Sequence, residues 1–170
     1  VSDGIRDYIR DLAQAPATAE GIAAGLEELT RRFAAETGRE TRFRAEGVGS
    51  AGPIPEEAGQ HLEQILREAL SNTARHAGPC RVEVALAFAP DELDLVVSDD
   101  GRGPGRALDP GGECHGLRNM RERARRLGGR LTVHPRPRGG TRVTLAVPLD
   151  SDVPAGEPAA PDTIREVTPT

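Results

Sequence analysis

Apolar residues recur along this chain at two different spacings, which predict two kinds of secondary structure. One set recurs every three or four residues, which predicts helices over about 18–37, 56–77 and 117–127. On the first helix this set comprises Ile22, Leu26, Leu29 and Phe33. Gly38 supplies a stop for the first helix, and Gly128 follows the third. The same spacing near the start predicts the end of a helix that continues upstream of Val1.

The second set alternates strictly with polar residues, which predicts half-buried strands. Strands are expected over 41–45, 81–88, 92–98, 130–134 and 141–147. The turn Ala89–Asp91 is expected to join the second and third strands as a hairpin. Because each strand buries only one face, three helices can cover that face and leave the other in water. The predicted fold class is therefore α/β, a two-layer sandwich.

Composition divides the chain into a folded part and a tail. Residues 150–170 contain four prolines and five acids with almost no large apolar residues, a composition typical of a disordered segment. Most of the net charge of −5 lies in this tail, so the remainder is close to neutral. A near-neutral domain with three Phe, one Tyr and no Trp is a poor candidate for binding nucleic acid. No run approaches the length of a membrane span, and we expect a cytoplasmic domain, which is compatible with a membrane-anchored parent protein.

All 22 basic residues are arginines. The absence of Lys excludes a Walker A loop, a protein-kinase-type ATP site and Schiff-base chemistry, each of which needs an amine. A phosphate site in this chain must therefore use backbone N–H groups, arginine or a metal ion.

The second predicted helix carries a polar stripe that suits such a site. Glu68 and Asn72 are four residues apart, and Arg75 and His76 continue the same face. An amide oxygen can ligate a hard cation such as Mg²⁺, and a carboxylate can accept a proton or position a reacting group. On its own, the stripe is equally typical of a solvated helix face.

Three further motifs have weak individual signals. Asp99 ends an apolar strand and precedes alternating glycines, Gly101 and Gly103, where backbone can approach a ligand closely. Residues 114–120 lead a loop into a helix, whose exposed N–H groups can bind an anion without Lys. Residues 139–141, Gly-Gly-Thr, open the last strand.

Together, in this order and spacing, the four motifs resemble the N, G1, G2 and final G-T boxes of the GHKL (Bergerat) ATP-binding fold, over about 54–149. R-E-A-L-S-N-T-A-R-H-A with H-G-L-R-N-M-R-E-R-A resembles in particular the histidine kinases that pair with LuxR-type response regulators. The resemblance implies a mixed, mostly antiparallel sheet with three helices on one face. It implies ATP and Mg²⁺ as cofactors.

The resemblance also implies residue roles. Glu68 would be the catalytic acid residue near the γ-phosphate, and Asn72 would hold Mg²⁺. Asp99 would bind the adenine amine, supported by Thr141. The remaining implied ATP-binding positions are Arg75, His76, Gly101, Gly103, His115, Gly116, Leu117 and Arg118.

Two departures from the family pattern bear on activity. Cys114 stands where the G2 box usually has its first glycine, which would alter closure of the short lid over 104–113 or weaken phosphate affinity. None of the four histidines, His61, His76, His115 and His134, has the context of a phosphoacceptor. We therefore expect residues 1–15 to end an upstream dimerisation helix, 16–149 to bind ATP, and 150–170 to form the tail.

The implied function is phosphoryl transfer from ATP to a histidine on the protein's own dimerisation domain, for relay to a LuxR-type response regulator. A full-length protein would be a homodimer, and this segment alone a monomer. Two alternatives stay open: an anti-sigma-factor serine kinase-like module, and a non-catalytic regulatory domain of the same fold, for which Cys114 is the best support.

Overall fold

The computed structural model describes residues 17–104 and 115–149. Within them the helices and strands are α1 (Ala19–Thr37), β1 (Thr41–Glu46), α2 (Ala58–His76), β2 (Val82–Phe88), β3 (Glu92–Asp99), α3 (His115–Arg126), β4 (Arg130–Pro135) and β5 (Thr141–Pro148). A short 3-10 helix, Val48–Ser50, lies in the predicted loop before α2. The predicted upstream helix, the predicted lid with Cys114, and the predicted tail lie outside the described residues.

Helix α1 shows how local sequence sets the element boundaries. The hydroxyl of Thr18 accepts a hydrogen bond from the Gly21 N–H at 3.0 Å and so caps the first turn. At the other end, Gly38 adopts a left-handed conformation with φ of 67°, and its N–H donates to the Ala34 carbonyl. Glycine adopts this conformation without strain, so the predicted stop at Gly38 is confirmed.

The five strands form one sheet in the order β1-β2-β3-β5-β4. β2 and β3 form the predicted antiparallel hairpin, and β5 pairs antiparallel with both β3 and β4. β1 pairs with β2 in parallel, so the sheet is mixed and mostly antiparallel. Strand β3 thus lies in the centre of the sheet, β5 lies between β3 and β4, and the start of β5 meets the end of β3.

The core lies between the sheet and the three helices. Alternate residues of β2 (Val82, Val84, Leu86 and Phe88) are buried, whereas Glu83 and Ala87 between them are exposed. The buried side of α2 comprises Leu62, Ile65, Leu66, Ala69, Leu70 and Thr73. The predicted two-layer α/β sandwich is confirmed. No helix in the described part of the chain is long and apolar enough to cross a bilayer.

Two helix boundaries differ from the prediction. Helix α2 begins at Ala58, two residues later than expected, and α3 begins at His115, two residues earlier. The apolar spacing placed the start of α3 at Leu117, whereas Gly116 is the second residue of the helix. In the structure, a β-carbon at position 116 would overlap the Glu68 carboxylate, so a larger residue here must displace that side chain.

Candidate ATP-binding site

The polar stripe of α2 is held together by Arg75. Its Nη2 atom donates to Glu68 Oε1 at 3.3 Å and to Asn72 Oδ1 at 3.2 Å. The side chains of Arg75 and Glu68 remain 57% and 32% exposed, so this ion pair borders solvent. His76, the last residue of α2, is also exposed. A carboxylate oxygen, an amide oxygen and a guanidinium therefore share one surface of the helix.

The start of α3 lies directly against this stripe. A β-carbon at Gly116 would be 2.7 Å from the Glu68 Cδ atom, closer than side-chain carbons approach one another. Gly116 is the second residue of α3, so its helix start adjoins the Glu68 carboxylate. Leu117 anchors this turn in the core, whereas His115 and Arg118 are exposed. The first N–H groups of any helix have no partner within that helix, and together with an exposed arginine they suit an anion.

Asp99 ends β3 with a carboxylate that is only 4% exposed. Its Oδ1 atom accepts a hydrogen bond from the Gly101 N–H at 2.9 Å. The described residues offer no partner to Oδ2. An ionised carboxylate oxygen only accepts hydrogen bonds, so Oδ2 is suited to accept one from a ligand donor.

The turn after Asp99 packs on the end of α2. A β-carbon at Gly101 would lie 2.6 Å from the Ala77 Cβ, and the Arg102 N–H donates to the Ala77 carbonyl at 3.0 Å. Gly103 has φ of 89°, a conformation that favours glycine. The end of β3 and the end of α2 are therefore in direct contact.

The turn between β4 and β5 covers the other side of Asp99. Gly139 and Gly140 both have positive φ, and a β-carbon at Gly140 would overlap the Asp99 carbonyl. Ser98 is paired with Arg142, which places the half-buried Thr141 next to the end of β3. The Gly-Gly-Thr motif thus contacts the strand that carries Asp99.

The four motifs consequently meet around the region where α2, β3, α3 and β5 come together. Glu68, Asn72 and Arg75 contact one another, and Gly116 contacts Glu68. Gly101 and Gly140 contact residues at the two sides of the β3 end. His76, His115 and Arg118 lie on these segments with exposed side chains.

Arg136 is a residue that the sequence prediction missed. Its Nη1 atom donates to the main-chain carbonyl of Asp99 at 2.8 Å. A hydrogen bond to a main-chain atom that is distant in sequence produces no characteristic spacing or composition. The sequence alone therefore could not indicate a role for Arg136. Asp100 was also missed; its Oδ1 atom accepts from the Arg81 N–H and ties β3 to the start of β2.

Cys80 lies close to Asp99 but belongs to a separate groove. Burial raises the pKa of the Cys80 thiol, the Asp99 charge raises it further, and Arg39 lowers it. The groove has a volume of about 700 Å³ and is lined by Thr37, Gly38, Arg39, Glu40, Ala74, Gly78, Pro79 and Cys80. It contains none of the predicted site residues.

Comparison with known proteins agrees with this geometry. The family model for histidine kinase-, DNA gyrase B- and HSP90-like ATPases matches residues 57–151. The chain therefore belongs to this ATPase family.

Relatives and solved structures narrow the similarity to histidine kinases. The histidine-protein kinase/phosphatase DegS of Brevibacillus brevis is 28% identical over 148 residues, covering 87% of this chain and 38% of DegS. The nitrate/nitrite sensor protein NarQ of Escherichia coli is 44% identical over 87 residues, covering 51% of this chain and 15% of NarQ. The histidine kinase domain of a blue-light activated histidine kinase from Erythrobacter litoralis superposes with a TM-score of 0.60 at 26% identity, covering 75% of this chain and 65% of that one. The chain spans less than half the length of DegS and of NarQ.

Proposed function

We propose that this chain is the ATP-binding kinase domain of a two-component sensor histidine kinase. It would transfer the γ-phosphoryl group of ATP to a histidine on the protein's own dimerisation domain. The phosphoryl group would then pass to a response regulator of the LuxR type. Such a domain works in the cytoplasm, where ATP and response regulators are found, and the full-length protein would act as a homodimer.

The main support for this function is that α2 contacts a different motif at each end of its polar segment. Glu68 contacts Gly116 at the start of α3, and Ala77 contacts Gly101 after β3. Ala77, the residue directly after α2, lies nine positions beyond Glu68, a rise of roughly 13.5 Å. This is comparable with the length of an extended nucleoside triphosphate, so one molecule can reach from the buried Asp99 to the helix start at Gly116.

The purine end of this site is supported by the chemistry of Asp99. A carboxylate accepts hydrogen bonds only, and Oδ2 has none from the described residues. The exocyclic amine of adenine is a donor of suitable size. Gly101 and Gly103 would let the base lie against backbone, and Thr141 would support it with a hydroxyl or a bridging water.

The phosphate end is supported by the donors and charges near Glu68. The helix start with His115, Gly116, Leu117 and Arg118 would hold phosphate oxygens, with Arg75 and His76 on the facing stripe. No group of three or more metal-ligating acid, His or Cys side chains occurs in the described part of the chain. This fits Mg²⁺, which retains waters and takes phosphate oxygens, with Asn72 as the single protein ligand. Bound there, Mg²⁺ would neutralise charge on the phosphates.

Glu68 would position the incoming histidine or accept its proton. Its carboxylate lies against Gly116 at the start of α3, where a group entering beside that helix would meet it. Phosphoryl transfer depends on positioning and charge neutralisation more than on covalent chemistry by the protein, so this small set of groups suffices.

Nucleotide binding can be tested by titrating the chain with Mg·ATP in a calorimeter. We expect micromolar to sub-millimolar affinity. Replacing Asp99 by Asn should weaken it roughly tenfold to a hundredfold, because a hydrogen bond to a charged group contributes about 1.5–3 kcal/mol. Asp100→Asn is the matched control, since this exposed neighbour bonds the Arg81 main chain. Equal affinities for Asp99→Asn and wild type would refute the adenine assignment.

Kinase activity requires the dimerisation domain in the same chain. With radiolabelled ATP, we expect acid-labile phosphate on a histidine, and Glu68→Gln should abolish the transfer while ATP still binds. ATP binding without any transfer would favour the regulatory alternative. Acid-stable phosphate on a serine of a partner protein would favour the anti-sigma-factor-like alternative.

A further inference from the structure

Asp99 stands beyond the last β3–β5 pair, so its main chain needs another partner on that side. The pairing of β3 with β5 ends at Ser98 and Arg142. The Asp99 carbonyl faces the turn between β4 and β5, where Arg136 Nη1 donates to it at 2.8 Å. The half-buried Arg136 therefore takes the place of a strand partner. An unpaired carbonyl at this depth would cost free energy comparable to a lost hydrogen bond.

The turn itself is built to bring Arg136 to this position. The Arg136 N–H donates to the Gly140 carbonyl at 2.9 Å, and the Gly139 N–H donates to the Arg136 carbonyl at 3.1 Å. Gly140 lies so close to the Asp99 carbonyl that no β-carbon fits there. A second bond, from Arg142 Nε to Ser98 Oγ at 3.3 Å, joins β5 to β3 one residue before Asp99.

We infer that Arg136 is a positioning residue, which sets the direction in which the Asp99 carboxylate meets the purine. This rests on the proposed function, in which Asp99 Oδ2 accepts from the adenine amine. Two bonds orient Asp99: Arg136 holds the carbonyl, and the Gly101 N–H holds Oδ1. The peptide that carries this carbonyl also begins the turn to Gly101. Rotation of that peptide would therefore displace both the N–H and the carboxylate that it orients.

Hydrogen bonds weaken steeply as the donor–hydrogen–acceptor angle departs from linear. A misdirected Oδ2 should therefore reduce the preference of the site for adenine over other purines. Inosine triphosphate is a suitable probe. It has the sugar and phosphates of ATP, but a carbonyl oxygen replaces the amine and would face the Asp99 carboxylate. Loss of Arg136 should thus weaken ATP binding more than inosine triphosphate binding.

The experiment compares affinities for Mg·ATP and Mg·inosine triphosphate in wild type, Arg136→Met, Arg136→Lys and Arg138→Met. Arg138 is the matched control, because it is an exposed arginine on the same turn. We expect Arg136→Met to lower the preference for ATP by about threefold to tenfold. Arg136→Lys, which retains a donor, should recover part of the preference, and Arg138→Met should leave it unchanged.

Thermal unfolding of each variant separates positioning from general stability. A lower Tm in Arg136→Met with an unchanged ATP preference, or equal weakening of both nucleotides, would overturn the inference while leaving the ATP site intact. Loss of the preference in Asp99→Asn but not in Arg136→Met would overturn it in the same way. A wild-type chain that binds neither nucleotide would overturn the proposed function together with this inference.

Discussion

The Glu68 carboxylate lies against Gly116 with no space for a β-carbon between α2 and α3. This contact joins the only two described helices that carry predicted phosphate-end residues. A glycine in the first turn of α3, despite its cost to helix stability, leaves the Glu68 carboxylate in this position. Any side chain at position 116 must either displace Glu68 or move α3 away from α2.

Gly116→Ala should therefore impair the phosphate end of the site. We expect weaker Mg·ATP binding and a larger loss of phosphoryl transfer, since Glu68 is displaced from the reacting group. Calorimetry and transfer to an attached dimerisation domain would measure the two effects. The control is Gly59→Ala in α2, where the new β-carbon would meet Ile22 Cγ1 at an ordinary 3.8 Å. That change should stabilise the fold by about 0.5–1 kcal/mol. Normal transfer by Gly116→Ala would show that Glu68 is not needed in its present position.

Arg75 offers a test that separates binding from stability. Its ion pair with Glu68 is solvent-exposed, and such pairs contribute about 0–1 kcal/mol to the free energy of unfolding. Arg75→Ala should thus shift the urea midpoint only slightly but, on the proposed function, weaken Mg·ATP binding, because it removes a cation that would face the phosphates. Arg31→Ala, which breaks the exposed pair with Glu28, should affect neither nucleotide affinity nor activity. Unchanged ATP affinity in Arg75→Ala would remove Arg75 from the site.

Gly140 and Gly38 allow two contributions to the free energy of unfolding, backbone strain and packing, to be distinguished. Both have positive φ, but Gly38 has open space around it, whereas a β-carbon at Gly140 would be 2.6 Å from the Asp99 carbonyl carbon. Gly38→Ala should cost about 1 kcal/mol of stability from backbone strain alone. Gly140→Ala should cost more and should also weaken ATP binding, because β3 must move. Denaturation and calorimetry on both variants would check this; similar costs at the two positions would contradict the observed contact.

Much of the fold could be predicted because periodicity reports burial directly. The alternation in β2 and the three- to four-residue spacing in α1 each identified the buried side chains, and Gly38 marked a helix end. The insertion of β5 between β3 and β4, and the parallel pairing of β1 with β2, depend on long-range contacts that no local spacing encodes. The 3-10 helix at 48–50 is too short to show a period.

The candidate site, like the fold, could be predicted only in part. Helical spacing placed Glu68, Asn72 and Arg75 on one stripe, since residues three and four apart are neighbours on a helix. Spacing alone could not predict that Gly116 contacts Glu68 or that Gly140 contacts Asp99. The family resemblance grouped those motifs, but it gave no indication of Arg136, whose partner is a main-chain carbonyl.

His61 predicts a pH dependence of stability that is independent of nucleotide. It lies on α2, and burial lowers the pKa of its imidazole from the ordinary 6.5; the positive charges of Arg123 and Arg126 lower it further, and Glu57 opposes them. The unfolded chain therefore binds a proton at a higher pH than the folded chain does. In the window from just above pH 6.5 down to the lowered pKa, the unfolded state holds more protons, so the free energy of unfolding falls as the pH falls. His61→Gln should flatten this slope, measured by urea denaturation at several pH values, while the exposed His76, His115 and His134 remain common to both proteins. An unchanged slope in His61→Gln would mean that other groups account for the acid sensitivity.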